Sequence, residues 1–192
     1  MSKDQREALL EEGMKIVHAR GFGATGVREI TKAAGVPQGS FTNHFRSKEG
    51  FGVLILARYE QKLDGIMDET LGNEALSPAD RLRAYFDRIS RTAAEAGWQR
   101  GCIVPDMAAE ITVHGDALRE RLCAVLEHQS ARFEEVVRLL RPDDEAAAID
   151  LGAFLLAAWY GTLLRMKVER SPAAVERFRR MLEGFLQPPP RK

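Results

Sequence analysis

The stretch Val27-Arg28-Glu29-Ile30-Thr31-Lys32-Ala33-Ala34-Gly35-Val36-Pro37-Gln38-Gly39-Ser40-Phe41-Thr42-Asn43-His44-Phe45 carries two short helical patterns separated by a compact turn. Val27, Ile30 and Ala34 recur at helical spacing in the first, and Phe41 and Phe45 lie four residues apart in the second. Gly35 can take a positive φ between them, and Val36 can plug the angle between the helices. The pattern predicts a helix-turn-helix. With both phenylalanines turned inward, Gln38, Gly39, Ser40, Thr42, Asn43 and His44 remain for other work. Small hydrogen-bonding side chains suit contacts to base edges and phosphates in a major groove, whereas a purely structural surface helix is more often filled with Glu, Lys and Ala. Arg28, beside the first helix, and Lys48, at the start of the next long one, are placed to meet flanking phosphates. Glu29 and Glu49, which phosphate repels, suit caps or ion pairs instead.

Outward from this stretch, nearly every segment repeats apolar residues at steps of three and four, and none shows a sustained period of two. The expected class is all-α, with nine helices. One covers about 3–20 and ends at Gly21; short ones follow at about 27–34 and 38–44. Ser47 caps a longer helix reaching about Leu71. Ser77-Pro78 starts another over 78–96, closed by Gly97. A short helix near Val104–Thr112, a long one from His114-Gly115-Asp116 to Arg141, and two more over 143–168 and 172–187 precede a Pro188-Pro189-Pro190 tail. The domain expectation is a head at 1–50 and a helical body at 51–192.

Composition narrows the partners. The 192 residues are 45% hydrophobic, enough for a buried core, and 28 basic residues balance 28 acidic ones. Zero net charge argues against a protein that coats nucleic acid without regard to sequence. The first 50 residues hold eight Lys or Arg against six Asp or Glu, so any DNA contact must rest on where charges sit. Two cysteines form no disulfide framework and suit a reducing compartment. No apolar run is expected to span a membrane, no secretory leader precedes the first helix, and the expected location is the cytoplasm.

The runs Val27-Arg28-Glu29-Ile30, Ala34-Gly35-Val36 and Ser40-Phe41-Thr42-Asn43-His44-Phe45-Arg46-Ser47-Lys48-Glu49 resemble the head of tetracycline-repressor (TetR) type regulators over about residues 8–55. The resemblance implies a transcription regulator, most simply a repressor, that binds double-stranded operator DNA as a homodimer. It also implies a recognition helix at 38–44 and a body that binds a small hydrophobic or electrophilic effector. The chain departs from the family pattern after Phe41, where Thr42 stands in place of the usual Tyr. That removes one aromatic hydroxyl from the phosphate-contacting set.

In the body, Phe86, Met107, Phe133, Trp159 and Met166 are candidates to line an apolar ligand pocket, which helical bundles build between their helices. Cys102 lies just before a predicted helix and beside Arg100, where a helix N-terminus and a cation would favour a thiolate. The Gly101-Cys102 pair also resembles the matching segment of the TetR-type branch that responds to electrophiles and oxidants. Cys123 has no such setting and is expected to be inert. Phe154, Ala158, Leu163, Phe178, Met181, Leu182 and Phe185 are expected at a two-fold interface, because the last two helices hold more apolar residues than a monomer's outer layer needs. The histidines, among them His18, His114 and His128, do not cluster at ligand spacing, so neither metal nor cofactor is expected. Gly21-Phe22-Gly23-Ala24-Thr25-Gly26 matches the spacing of a dinucleotide-binding fingerprint, but no strand precedes it, and its glycines are expected only to turn the chain. Two rival functions stand beside the regulator: a thiol enzyme using Cys102, and a helical adaptor that binds protein.

Overall fold

The computed structural model describes residues 3–110 and 115–186; His114, the end of the helix expected to reach Thr112, and the proline tail lie outside the described residues. Within them the chain forms α1 (Lys3–Arg20), α2 (Val27–Ala33), α3 (Gln38–Phe45), α4 (Lys48–Thr70), α5 (Pro78–Glu95), α6 (Ile103–Ala109), α7 (Asp116–Leu140), α8 (Glu145–Glu169) and α9 (Ala173–Leu186). The all-α expectation holds, with nine helices and no strand among the described residues. The boundaries follow local chemistry. Gly21 ends α1 at φ +86°, and Gly97 follows α5 at φ +62°. Ser47 Oγ accepts from the Gly50 N–H at 3.0 Å, and Ser77 Oγ from the Asp80 N–H at 3.2 Å. Asp144 does the same for α8, taking the Ala147 N–H at 2.9 Å. Each cap satisfies an amide that the helix itself leaves open.

The chain divides into two compact units, Met1–Gln61 with Cys102–Val125, and Lys62–Gly101 with Leu126–Lys192. In the first, Leu9 and Val17 of α1, Ile30 of α2, Phe41 and Phe45 of α3 and Phe51 and Ile55 of α4 are buried. Phe41, Phe45 and Phe51 form a triangle with ring centroids 5.0–5.1 Å apart. Gly13 makes this possible, because a Cβ there would collide with the Phe51 ring.

The second unit is built on Tyr85, Phe86, Phe133, Trp159 and Phe178. Phe86 lies 5.6 Å from Phe133, 5.0 Å from Trp159 and 4.7 Å from Phe178, and every ring except Phe178 is at most 2% exposed. Helix α8 buries Ala148, Gly152, Leu155, Trp159, Leu163 and Met166 along one stripe. Gly152 brings α8 against α7, since its Cβ would meet the Glu134 backbone nitrogen at 2.8 Å. By length and composition α8 is apolar enough to cross a membrane, which corrects the expectation that no run would be. The reason is a second apolar face. Ile149, Phe154, Leu164 and Val168 are exposed on α8, beside exposed Ala153, Ala157 and Gly161. A helix apolar on two sides packs against its own core with one and leaves the other unpartnered.

Candidate nucleic-acid interface

The turn between α2 and α3 takes the form its residues favour. Ala34 closes α2 in a right-handed conformation, Gly35 takes φ +64°, and the Val36 N–H returns to the Thr31 carbonyl at 3.0 Å. Pro37 precedes α3 with φ −59°, where its missing N–H costs nothing. Arg46 then leaves α3 at φ +61°, its N–H bonded to the Thr42 carbonyl at 3.0 Å. Helix α3 is therefore fixed at both ends and held from below by the phenylalanine triangle.

Its outer face carries Gln38, Gly39, Thr42 and Asn43, all exposed, with Ser40 half-buried. Arg28 is exposed on α2, and Glu29 pairs with Arg20 at 2.6 Å. Two expected contacts sit differently. His44 is half-buried with its ring 5.9 Å from Phe45, and its Nε2 is buried without a hydrogen-bond partner among the described residues. Lys48 is half-buried and engaged within the chain: its Nζ donates to the Gly23 carbonyl at 2.9 Å and stands 4.9 Å from the centre of the Phe22 ring. Burial lowers its pKa, against the opposing pull of Glu110.

The residues expected to sense an effector fall in both units. Cys102 and Met107 belong to the first; Phe86, Phe133, Trp159 and Met166 belong to the second and are at most 1% exposed. Cys102 contradicts the expectation of an activated thiol. Burial pushes it up to about 11, outweighing hydrogen bonds from the Tyr59 hydroxyl and the Val104 N–H, while the Asp106 charge pushes it further up. Cys123, expected to be inert, is the exposed cysteine.

Of the seven residues expected at a two-fold interface, Phe154 and Met181 are 51% and 61% exposed, and Ala158 and Phe185 are half-buried. Leu163, Phe178 and Leu182 are buried within the single chain, where Phe178 stacks in the aromatic cluster against Phe86 and Trp159, and Phe178 and Leu182 also form part of the wall of a groove between α8 and α9. This groove, of about 330 Å³, is bordered by Phe154, Ala158, Gly161, Met181 and Phe185.

Two polar groups have no signature in the sequence. Glu110, at the end of α6, accepts the Gly23 N–H at 2.6 Å across 87 residues of chain. Gln129 is 1% exposed; its Oε1 accepts from the Tyr160 hydroxyl, and its Nε2 has no hydrogen-bond partner among the described residues. Buried Thr25, Thr31, Thr70 and Ser90 each donate to a carbonyl three or four residues back. Gln129 has no such local acceptor. A single glutamine on an amphipathic helix gives no sequence signal of this kind.

A helix-turn-helix with a polar outward face, in an all-helical chain, defines a DNA-binding transcription regulator. Residues 9–51 match the model "Bacterial regulatory proteins, tetR family", and residues 78–182 match "Tetracyclin repressor-like, C-terminal domain". The chain belongs to the tetR family of bacterial regulatory proteins. It is 33% identical over 183 residues to the HTH-type transcriptional repressor DhaR of Mycobacterium sp. (strain GP1), covering 90% of this chain and 87% of that protein. Among solved structures it is similar to the regulatory protein TetR from Rhodobacter sphaeroides, with a TM-score of 0.86, 29% identity, and 92% and 95% of the two chains covered. It is also similar to the reduced form of E. coli NemR, with a TM-score of 0.86, 27% identity, and 98% and 100% covered. Members of the family bind operator DNA, typically as dimers. The relatives are named repressors and regulators, and the thiol-enzyme reading is set aside.

Proposed function

We propose that the protein is a cytoplasmic repressor whose homodimer binds a palindromic operator and is released by a small effector. The observation that carries the DNA-binding part is the face of α3: Gln38, Thr42 and Asn43 point outward from a helix whose Phe41 and Phe45 are locked in the core. In this reading residues 1–50 form the DNA-binding head and 51–192 the sensing and dimerising body. Arg28 meets a flanking phosphate, and Gln38, Gly39, Ser40, Thr42 and Asn43 enter the major groove, with His44 at its edge. A dimer presents two such helices to half-sites roughly 34 Å apart. The exposed faces of α8 and α9, with the groove between them, support self-association. So does their composition, because small residues on α8 allow close helix approach.

Gln129 supports the effector part. A buried amide with spare donors costs about 1–3 kcal/mol until an acceptor meets it. The spare donors of that amide favour a ligand bearing an acceptor oxygen. The effector is accordingly a small, mostly apolar molecule of that kind.

Selection from a random duplex library tests the reading. Wild type should enrich a palindrome. Asn43→Ala or Gln38→Ala should lose about 1–3 kcal/mol of discrimination at a single position of each half-site while keeping affinity for unrelated DNA. Failure of the wild type to enrich any sequence would leave the adaptor as the surviving alternative.

A further inference from the structure

The glycine run Gly21-Phe22-Gly23 does more than turn the chain between α1 and α2. A Cβ on Gly21 would run into Glu110 Oε1, and one on Gly23 would lie 3.2 Å from Glu110 Oε2. The two glycines thus clear a concave place, and the Glu110 carboxylate fills it, accepting the Gly23 N–H at 2.6 Å. From the other side Lys48 donates to the carbonyl of the same residue at 2.9 Å and covers the Phe22 ring. Gly23 is therefore held by both of its backbone polar groups, one by the first residue of α4 and one by the residue that ends α6. Below it, the Thr25 hydroxyl donates to the Gly21 carbonyl at 2.6 Å and the Phe22 side chain is 1% exposed. The next elements in the chain are α2 and α3, so whatever fixes this turn fixes the start of the helix-turn-helix.

We infer that Glu110 and Lys48 form a two-sided clamp on Gly23 that positions the α2–α3 reading head, and that neither residue acts through contact with DNA. The inference rests on the DNA-binding reading above and adds two positioning residues to it. Charge assists both hydrogen bonds, and the opposite charges of the two side chains reinforce each other across the turn. A clamp of this kind leaves the number of phosphate contacts unchanged, so it affects affinity without affecting its salt dependence. A lysine on a phosphate behaves oppositely, because each such contact contributes about 0.9 to the slope of log K against log salt.

The test uses the full-length protein, a duplex selected by the wild type, and amide hydrogen exchange without DNA. In Glu110→Ala, exchange at Gly23 and through α2 should rise about tenfold. DNA affinity should fall by about five- to tenfold with an unchanged salt slope. Glu110→Gln keeps an acceptor oxygen for the Gly23 N–H and should restore most of both. Lys48→Ala should weaken binding, again with the slope preserved, and the double variant should lose less than the product of the single losses, as residues acting on one turn do. The inference is overturned if Glu110→Ala exchanges like wild type, or if Lys48→Ala lowers the salt slope by about one. Exchange is read without DNA, so a failure of the wild type to select any duplex would reject the DNA-binding reading while the clamp itself is still decided by Gly23.

Discussion

Phe154→Asp and Met181→Asp are expected to give folded monomers whose affinity for DNA falls by more than about a hundredfold. Phe178→Asp, only a few residues away, is expected to unfold the second unit instead. The contrast comes from where each side chain points. Phe154 and Met181 are 51% and 61% exposed in the single chain, so a carboxylate there stays in water and costs the monomer little. In a dimer closed over α8 and α9 the same carboxylate is buried twice, once in each protomer, at about 3–5 kcal/mol per unpaired charge. Phe178 is 8% exposed and stacks 4.7 Å from Phe86 and 5.0 Å from Trp159. Replacing it removes the ring from the aromatic cluster and buries a charge in its place, and either change alone costs about 3–5 kcal/mol. Sedimentation equilibrium and thermal melts separate the outcomes. A Phe154→Asp protein that remains a dimer of wild-type affinity would move the interface off these helices.

The same pair shows what sequence can and cannot carry. Helix α9 has Phe178, Met181, Leu182 and Phe185 within two turns, and spacing alone places them on one broad apolar side. The fold divides that side: Phe178 and Leu182 face the core, while Met181 faces out and Phe185 lies between. Periodicity reports that a helix is amphipathic, but which edge of the stripe meets the core depends on how that helix is rotated against its neighbours. The helix-turn-helix escapes this ambiguity because its two helices are short and its turn chemistry is local. Gly35, Pro37 and the Phe41–Phe45 spacing are all contained within eleven residues, and the outward set follows from them. The intramolecular setting of Lys48 is illegible in the sequence for the opposite reason. Its partner carbonyl on Gly23 is 25 residues away, and the carboxylate that completes the site, on Glu110, is 62 residues further along the chain. Long-range partners of charged side chains have no periodic signature, whereas caps such as Ser47 and Ser77 are read directly because their partners lie three residues away.

Cys102 carries the second large effect. The sequence places it before a helix and near Arg100, and both features favour a thiolate. The fold adds what those neighbours omit: Cys102 is 6% exposed, and Ile103, Val104 and Met107 beside it are at most 1% exposed. Desolvation of a charged sulfur outweighs the two hydrogen bonds it receives, which is why the thiol is held up at about 11. At pH 8 about one such thiol in a thousand is ionised, against roughly a quarter of ordinary cysteines with a pKa near 8.5, a difference of about two hundredfold before any steric barrier. A maleimide should therefore modify one cysteine rapidly, the exposed Cys123, and Cys123→Ser should abolish the fast phase. The slow remainder at Cys102 should track opening of the fold and accelerate with denaturant. Linkage supplies an independent check. Because the folded pKa of Cys102 lies above the unfolded value, its proton stabilises the fold fully below about pH 8.5, and that contribution is lost as pH rises from there through about 11. Wild type should lose stability across this window more steeply than Cys102→Ala, measured by denaturant midpoints at several pH values. Rapid modification of Cys102 in the Cys123→Ser protein, or parallel pH profiles for wild type and Cys102→Ala, would show instead that the thiol ionises within the native fold.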